Sequence, residues 1–342
     1  MPTPPAPHPQ QAETVAQAAQ LMERVLYEVK RVVVGQDRFL ERVMIALLAQ
    51  GHLLVEGVPG LAKTLTVRTL AATLRGSFKR IQFTPDLVPA DLVGTRIYNQ
   101  KTGEFGTTLG PVFANLLLAD EINRAPAKVQ SALLEVMQER QVTIAGESHP
   151  VPRPFVVMAT QNPIETEGTY PLPEAQVDRF MMKVLVDYPS DEEEFVIVQR
   201  VIGPPAEVVP VASMAQLAEL QAACRQLYVD PSLVQYAVKL VGATRRPADH
   251  GLAELAPMLT YGASPRASIS LVEAARALAF MRGRAYVLPE DLSDLAVDCL
   301  RHRLVLSYEA LAQGLSADAL IAQVMARVPP PDKPIQHSAA AA

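Results

Sequence analysis

Residues 52–64, HLLVEGVPGLAKT, decide the fold of this chain. They predict a buried strand, then a glycine-rich loop, then a helix that Lys63 and Thr64 open. A polyphosphate needs such an arrangement, because backbone N–H groups must converge on its oxygens, a fixed cation must offset its charge and a hydroxyl must hold Mg²⁺. The residues predicted to contact the phosphates are Gly57, Val58, Pro59, Gly60, Leu61, Ala62, Lys63, Thr64 and Leu65.

The loop departs from the strict pattern G-x-x-x-x-G-K-[ST] at one position, where Ala62 replaces the glycine before Lys63. Alanine adds one methyl group, which an ordinary helical conformation at this position would tolerate. A purely structural strand-turn-helix with a surface lysine is the alternative, and the loop alone leaves it open.

The composition indicates a chain of one large or two linked domains with an aliphatic core. It has 342 residues, 49% of them hydrophobic, and no tryptophan. The net charge of −5 argues against nucleic-acid binding as the main activity, because no large basic field is present to replace counterions. Neither a signal peptide nor an apolar run of roughly 20 residues is evident, so we expect no membrane association and a cytoplasmic location. Cys224 and Cys299 are expected to be buried thiols.

Alternating strand and helix patterns predict an α/β domain built on a parallel sheet. The predicted strands are 53–55, 78–83, 116–119, 155–160 and 182–186, with helical patterns at 63–75 and 126–139. Two segments interrupt the alternation and are predicted to be hairpins. The first is an insert at 87–110 with its tip at 101–103, and the second is 141–154 with its turn at 145–147.

The predicted domain boundaries follow from where these patterns change. A proline-rich lead, 1–12, is expected to be disordered, and the α/β domain is expected to occupy 13–190. Beyond residue 190 the pattern is helical, with breaks at 203–205, 246–247 and 288–289, which predicts a helical domain over 191–328. Residues 329–342 are expected to form a flexible tail.

Two adjacent carboxylates, Asp120 and Glu121, end an apolar predicted strand. The carboxyl ends of parallel strands meet at the edge where the glycine loop also lies and where open α/β sheets bind ligands. We therefore expect Asp120 to hold Mg²⁺ through the water shell of the metal, together with Thr64. Glu121 is expected to orient and polarise a water molecule against a γ-phosphate. The alternative is a polar strand end that caps the following helix.

Three stretches resemble those of AAA+ ATPases, specifically the MoxR family: GVPGLAKT at 57–64, LLLADEINRA at 116–125 and MATQNP at 158–163. The similarity extends from about residue 32 to residue 303, and the family's loop typically carries the same Ala-Lys-Thr. The resemblance implies a three-layer sandwich with a five-stranded parallel sheet, followed by an all-helical lid domain. It also implies ATP and Mg²⁺ as cofactors and a hexameric ring with nucleotide between subunits. The insert at 87–110 resembles the helix-2 insert that faces the ring's centre.

The resemblance also implies roles for residues outside the loop. Asn162 matches a first sensor that holds the attacking water, although Asn-Pro alone is also a turn signal. Arg179 resembles the arginine finger that reaches a neighbour's γ-phosphate, with a local ion pair to Asp178 as the alternative. Gly35 and Gln36 correspond to the segment beside the adenine ring.

Arg266 matches a second sensor, and its local sequence supports that role. Ser264 is predicted to be a helix N-cap and Pro265 the first helical residue. A cation in the first turn of a helix faces the positive end of the helix dipole, and a bound phosphate would remove that conflict.

The resemblance implies ATP hydrolysis coupled to chaperone-like remodelling or activation of a partner protein, often one with a von Willebrand factor A domain. A magnesium-chelatase-like ATPase subunit is one alternative, because it shares the clade and the insert. A nucleotide-gated binding scaffold with little hydrolysis is another. A DNA-acting motor is disfavoured by the acidic charge balance.

Overall fold

The predicted alternation of strands and helices is present in a computed structural model, which describes residues 9–101, 103–163, 168–204 and 206–331. The predicted lead lies outside the described residues as far as residue 8, and a helix begins at Pro9. The predicted tail lies outside them from residue 332. The described chain forms two compact units. The first contains 21–180 and 184–221, and the second contains the described part of 1–20 together with 181–183 and 222–331.

The first unit is built on a five-stranded parallel sheet, as predicted, with strand order β2-β5-β8-β1-β9. Up to the last strand of this sheet the elements are α1 (Pro9–Val32), α2 (Asp37–Ala49), β1 (Leu53–Glu56), α3 (Lys63–Thr73), β2 (Phe78–Gln82), α4 (Pro89–Val93), β3 (Gly94–Asn99), β4 (Glu104–Leu109), β5 (Leu116–Asp120), α5 (Ala127–Glu139), β6 (Gln141–Ile144), β7 (Glu147–Pro150), β8 (Val156–Gln161), α6 (Glu174–Val177) and β9 (Met182–Leu185).

Burial along the strands explains their sequences. The central strands β5 and β8 are buried at every position except the last residue of each, which is why they are continuous apolar runs. Strand β2 lies at the edge of the sheet and is mostly exposed, with Ile81 as its buried residue. The last residue of each of these two central strands is polar and half-buried, so polar groups reach the surface at the carboxyl end of the sheet.

His52, the residue just before β1, is a buried polar link between the sheet and α5. Its Nδ1 accepts a hydrogen bond from the Val157 N–H at 3.0 Å, and its Nε2 lies 3.1 Å from the Met137 carbonyl oxygen. Because Nδ1 is an acceptor, the neutral ring carries its proton on Nε2 and donates it to Met137. Burial lowers the pKa of His52 to about 4.

This burial predicts a pH-dependent stability. Below pH 6.5 the unfolded chain binds a proton on His52, whereas the folded protein keeps the ring neutral down to about pH 4. The free energy of unfolding is therefore at its full value above pH 6.5 and falls as the pH is lowered to about 4. At 1.36 kcal/mol per pKa unit, the loss is about 3 kcal/mol. The free energy of unfolding can be measured with urea at pH 7, 5.5 and 4. Its decline from pH 7 to pH 4 should be smaller in His52→Gln than in the wild type by about 3 kcal/mol. An equal decline in both proteins would refute the assignment, and His250→Gln is the control.

Both predicted hairpins are present. Strands β3 and β4 pair antiparallel, and so do β6 and β7, which are joined by a two-residue turn at Ala145 and Gly146. Both turn residues have positive φ, 50° and 88°, as a type I′ turn requires. The short helix α4 precedes the first hairpin and was not predicted. The predicted tip residue Thr102 lies outside the described residues.

The base of the first hairpin is closed by two glycines. A Cβ on Gly94 would lie 2.6 Å from the backbone nitrogen of Gly110, and a Cβ on Gly110 would lie 2.6 Å from that of Gly94. The Gly110 N–H donates to the Val93 carbonyl at 3.2 Å. The two ends of the insert therefore meet backbone to backbone.

The rest of the chain is mainly helical, as predicted. Its elements are α7 (Asp191–Ile202), α8 (Met214–Arg225), α9 (Pro231–Arg245), β10 (Leu259–Tyr261), α10 (Pro265–Met281), α11 (Pro289–Leu300), β11 (Val305–Leu306), α12 (Tyr308–Ala312) and α13 (Ala317–Arg327). Helices α9, α10, α11 and α13 contact one another and bury Leu240, Leu271, Leu295 and Leu320. One difference is the short antiparallel pair β10–β11, which the sequence did not predict.

The two units do not divide at residue 190, where the domain boundary was predicted. Residues 191–221 belong to the first unit, because they pack on its helices. The Val211 N–H donates to the Thr73 carbonyl at 2.8 Å, and the buried Gln221 side chain donates to the Leu47 carbonyl at 2.7 Å. Within the described ranges, no helix is both long and apolar enough to cross a membrane.

Candidate functional site

A cavity of about 380 Å³ opens beside the carboxyl ends of β1, β5 and β8 in the first unit. Polyphosphate-binding residues were predicted at this edge of the sheet, and the structure brings Lys63, Thr64, Asp120, Glu121 and Asn162 together there. The residues that line the cavity are Gly57, Pro59, Gly60, Leu61, Ala62, Lys63, Thr64, Leu65, Arg80, Asp120, Glu121, Thr160, Gln161 and Asn162.

The loop between β1 and α3 has its shape because of particular residues. Gly57 has no room for a side chain, since a Cβ there would lie 2.6 Å from the Val186 carbonyl oxygen. Gly60 has a φ of 89°, which favours glycine. Ala62 has φ 55° and ψ 16°, a left-handed conformation and not the ordinary helical one in which the extra methyl group is readily tolerated.

The left-handed conformation of Ala62 costs roughly 1–2 kcal/mol for a residue with a Cβ. It occurs where the chain turns from the loop into α3. The Ala62 carbonyl accepts the Thr66 N–H at 2.9 Å and the Thr66 hydroxyl at 3.0 Å, so the first helical hydrogen bonds begin at this strained residue. Backbone strain of this kind is often found where a site must hold a fixed shape.

Lys63 places a cation at the mouth of the loop. Its ammonium group donates to the Gly57 carbonyl at 2.5 Å and is half-buried. Burial lowers the pKa of Lys63, while the nearby carboxylates of Asp120 and Glu121 oppose that shift. A bound phosphate would offer this cation a charged acceptor, which forms a stronger hydrogen bond than a carbonyl.

Both oxygens of Asp120 accept hydrogen bonds. Oδ1 accepts from the Thr160 hydroxyl at 2.5 Å, and Oδ2 accepts from Arg80 Nε at 3.1 Å and Nη2 at 2.6 Å. The Asp120 side chain is only 16% exposed. It is therefore fixed by a neighbour on each side, from β8 and from β2.

Glu121 is held in a left-handed conformation with a φ of 56°. Its N–H donates to the Thr160 hydroxyl oxygen at 2.9 Å. Its Oε2 accepts from Gln82 Nε2 at 2.7 Å and lies 2.8 Å from Arg124 Nε. The Thr160 hydroxyl thus contacts the side chain of Asp120 and the backbone of Glu121, and it sets the two residues relative to each other.

Sequence reasoning missed Arg80, Gln82 and Thr160. In the sheet, β2 runs beside β5 with Arg80 opposite Leu118 and Gln82 opposite Asp120. The period-2 alternation of β2 would have placed Arg80 and Gln82 on one face, but the sequence does not show which strand lies beside β2. Asn162, by contrast, was predicted, and it lies buried in the cavity wall just after β8.

Arg179 and the Gly35-Gln36 pair lie in the first unit but do not line the cavity. The Arg179 guanidinium donates through Nη1 to the Leu134 carbonyl at 3.1 Å, and its Nε is buried without a hydrogen-bond partner in the described part of the chain. Gly35 and Gln36 both have positive φ, and the Gln36 side chain donates to the Asp187 carbonyl at 2.9 Å. The roles assigned to these residues remain predictions.

Arg266 lies in the second unit, in the first turn of α10. The predicted cap is confirmed, since the Ser264 hydroxyl accepts the Arg266 N–H at 3.1 Å and Pro265 is the first helical residue. Its role as a second sensor also remains a prediction.

The residues around the cavity fit a nucleotide polyphosphate and Mg²⁺. Thr64 and Asp120 offer hard oxygen ligands, which Mg²⁺ prefers, and Lys63 supplies a cation for phosphate. Over the described ranges no cluster of three or more His, Cys, Asp or Glu side chains could hold a metal alone.

Comparison with known protein families gives two matches along the chain. Residues 52–182 match the ATPase family associated with various cellular activities (AAA), and residues 252–324 match the AAA lid domain. The first match contains every residue that lines the cavity. The second match lies within the segment predicted to be a helical lid.

Individual relatives match nearly the whole chain. Chaperone MoxR1 of Mycobacterium tuberculosis is 55% identical over 317 residues, which cover 93% of this chain and 84% of that protein. Protein MoxR of Paracoccus denitrificans is 34% identical over 322 residues, which cover 88% and 93%. A crystal structure of a candidate ATPase from Cytophaga hutchinsonii superposes with a TM-score of 0.89 at 49% identity, over 94% of this chain and 99% of the other.

Proposed function

The chain belongs to the MoxR family of AAA+ ATPases, and from that premise we propose that it hydrolyses ATP with Mg²⁺ to remodel or activate a partner protein. One observation carries the proposal. Lys63, Thr64, Asp120, Glu121 and Asn162 come from separate segments, and they meet around one cavity. A structural strand-turn-helix gives no reason for this convergence.

The proposed binding step uses the loop and the start of α3. Lys63 and the backbone of the loop hold the β- and γ-phosphates, and Thr64 and Asp120 hold the metal. When bound, Mg²⁺ neutralises charge on the phosphate oxygens. Lys63 would then exchange the Gly57 carbonyl for a phosphate oxygen.

The proposed chemical step uses Glu121 and Asn162 to position the attacking water, with no covalent intermediate. The contacts of the Glu121 carboxylate with Gln82 and Arg124 are both to Oε2, so the proposal assigns the proton of the water molecule to Oε1. Arg179 of a neighbouring subunit and Arg266 in cis would neutralise the charge that develops in the transition state. Loss of the γ-phosphate would release Arg266 and allow the lid to move.

We further propose a homo-oligomer, with a hexameric ring as the form that places an arginine at each neighbour's nucleotide. The name of the relative from Mycobacterium tuberculosis, Chaperone MoxR1, supports a role on client proteins. A partner with a von Willebrand factor A domain and a cytoplasmic location are part of the same proposal.

Steady-state phosphate release tests the proposal most directly. Glu121→Gln should reduce the rate about 100-fold or more, since a general base contributes about 10²–10⁴, while ATP binding persists. The exposed Glu135→Gln on α5 is a matched control with the same chemical change. Equal rates in wild type and Glu121→Gln would end the hydrolysis proposal and favour a nucleotide-gated scaffold.

A further inference from the structure

Arg80 is a charged residue of the cavity that the proposed reaction does not use. It projects from the edge strand β2, its side chain is 48% exposed, and it lines the cavity. Its guanidinium approaches Asp120 through two nitrogens, Nε at 3.1 Å and Nη2 at 2.6 Å, and both hydrogen bonds end on the same oxygen, Oδ2.

Three of the about four acceptor sites of the Asp120 carboxylate are occupied in this arrangement, and both sites of Oδ2 are among them. A carboxylate oxygen has about two lone-pair sites, so the two Arg80 hydrogen bonds occupy those of Oδ2. Oδ1 already accepts the Thr160 hydroxyl at 2.5 Å. A guanidinium and a divalent cation that share one carboxylate oxygen would also repel each other. Asp120 therefore cannot keep the Arg80 pair unchanged and also serve a magnesium ion through Oδ2.

Arg80 also contacts the second carboxylate indirectly. Its Nη2 donates to Gln82 Oε1 at 2.8 Å, and Gln82 Nε2 donates to Glu121 Oε2 at 2.7 Å. Movement of Arg80 away from Asp120 would therefore remove one of the contacts that orient the Gln82 amide on Glu121. The two carboxylates of the site are linked through one arginine.

We propose that Arg80 is a positioning residue that competes with Mg²⁺ for Asp120. In this structure it contacts the Asp120 carboxylate and offsets its charge. Binding of the magnesium nucleotide displaces the guanidinium from Oδ2, so the concentration of Mg²⁺ needed for tight nucleotide binding is set in part by this pair. The inference rests on the proposed function, because it concerns the metal of the same site.

The test measures the affinity for a fluorescent, non-hydrolysable ATP analogue as a function of free Mg²⁺, with a reference in EDTA for each variant. The EDTA reference separates metal dependence from direct contact between Arg80 and phosphate. Arg80→Ala should lower the half-saturating Mg²⁺ concentration about 10-fold, the factor that corresponds to about 1.4 kcal/mol. Arg80→Lys keeps the charge but loses the two-nitrogen contact. Its half-saturating Mg²⁺ concentration should lie between those of the wild type and Arg80→Ala.

The controls use the same strand and the same carboxylate. Lys79→Ala removes one positive charge from an exposed position of β2 that does not line the cavity, and it should leave the half-saturating Mg²⁺ unchanged. In an Asp120→Asn background, Arg80→Ala should produce no shift, because the pair is already gone.

Three results would overturn the inference: an unchanged Mg²⁺ dependence in both Arg80 variants, a shift of equal size in Lys79→Ala, or a persisting shift in the Asp120→Asn background. Should Arg80→Ala fail to fold, Arg80→Lys still reports the pair. Failure of the wild type to bind the analogue at any Mg²⁺ concentration would instead refute the proposed function, so the two failures are distinguishable.

Discussion

Lys63→Ala is expected to abolish nucleotide binding at concentrations that saturate the wild type. Its ammonium group lies at the mouth of the loop, half-buried and hydrogen-bonded to the Gly57 carbonyl. Removal would leave phosphate charge without its fixed counter-ion in a partly desolvated site. Truncating one partner of such a pair costs about 2–5 kcal/mol, so the dissociation constant should rise by about 30-fold or more.

The measurement is equilibrium titration with a fluorescent ATP analogue at fixed Mg²⁺. Lys79→Ala removes the same charge from an exposed site outside the cavity and should bind as the wild type does. A dissociation constant for Lys63→Ala within threefold (about 0.6 kcal/mol) of the wild type would contradict the role of Lys63 and return the loop to a structural interpretation.

Arg179→Ala should bind ATP normally and hydrolyse it about 10³-fold or more slowly, if Arg179 acts as an arginine finger. A guanidinium suits that task because it is planar, permanently charged and able to donate two parallel hydrogen bonds. In this structure Nη1 donates to the Leu134 carbonyl and Nε is buried, so a neighbour's phosphate would be met by the other nitrogen or after the side chain moves.

Mixed assemblies decide whether Arg179 acts on a neighbouring subunit. Glu121→Gln retains the arginine, and Arg179→Ala retains the complete pocket, so a mixture of the two places an intact arginine beside an intact pocket. Partial recovery of phosphate release is expected on mixing. Absence of recovery, with both variants folded and assembled, would show that Arg179 does not act in trans.

The main sheet could be predicted because its central strands are uniformly apolar. β5 and β8 are buried on both faces, and such runs are hard to mistake. The helical unit was predicted from its proline and glycine breaks, but the pair β10–β11 was missed, since strands of three and two residues carry almost no periodic signal. The domain boundary was hard to place because the sequence pattern is helical from residue 191 onward, whereas residues 191–221 belong to the first unit.

The site residues that directly follow a strand could be predicted. The contacts that depend on which strands are adjacent in the sheet could not. Asp120, Glu121 and Asn162 lie at strand ends, so their position followed from the parallel sheet alone. The contacts of Arg80 depend on β2 lying beside β5, and strand order is not visible in the local pattern. The positive φ of Ala62 was missed because alanine rarely adopts it, so only the structure reveals the strain.

The glycine contact at the foot of the first hairpin makes that arm an exchangeable module. Since Gly94 and Gly110 touch backbone to backbone, the chain leaves and rejoins the α/β unit at nearly one point. Lengthening the arm, shortening it or grafting a different one therefore imposes no displacement on β2 and β5. None of the described residues that line the cavity lies within this arm, so a change of the arm leaves that set of residues complete.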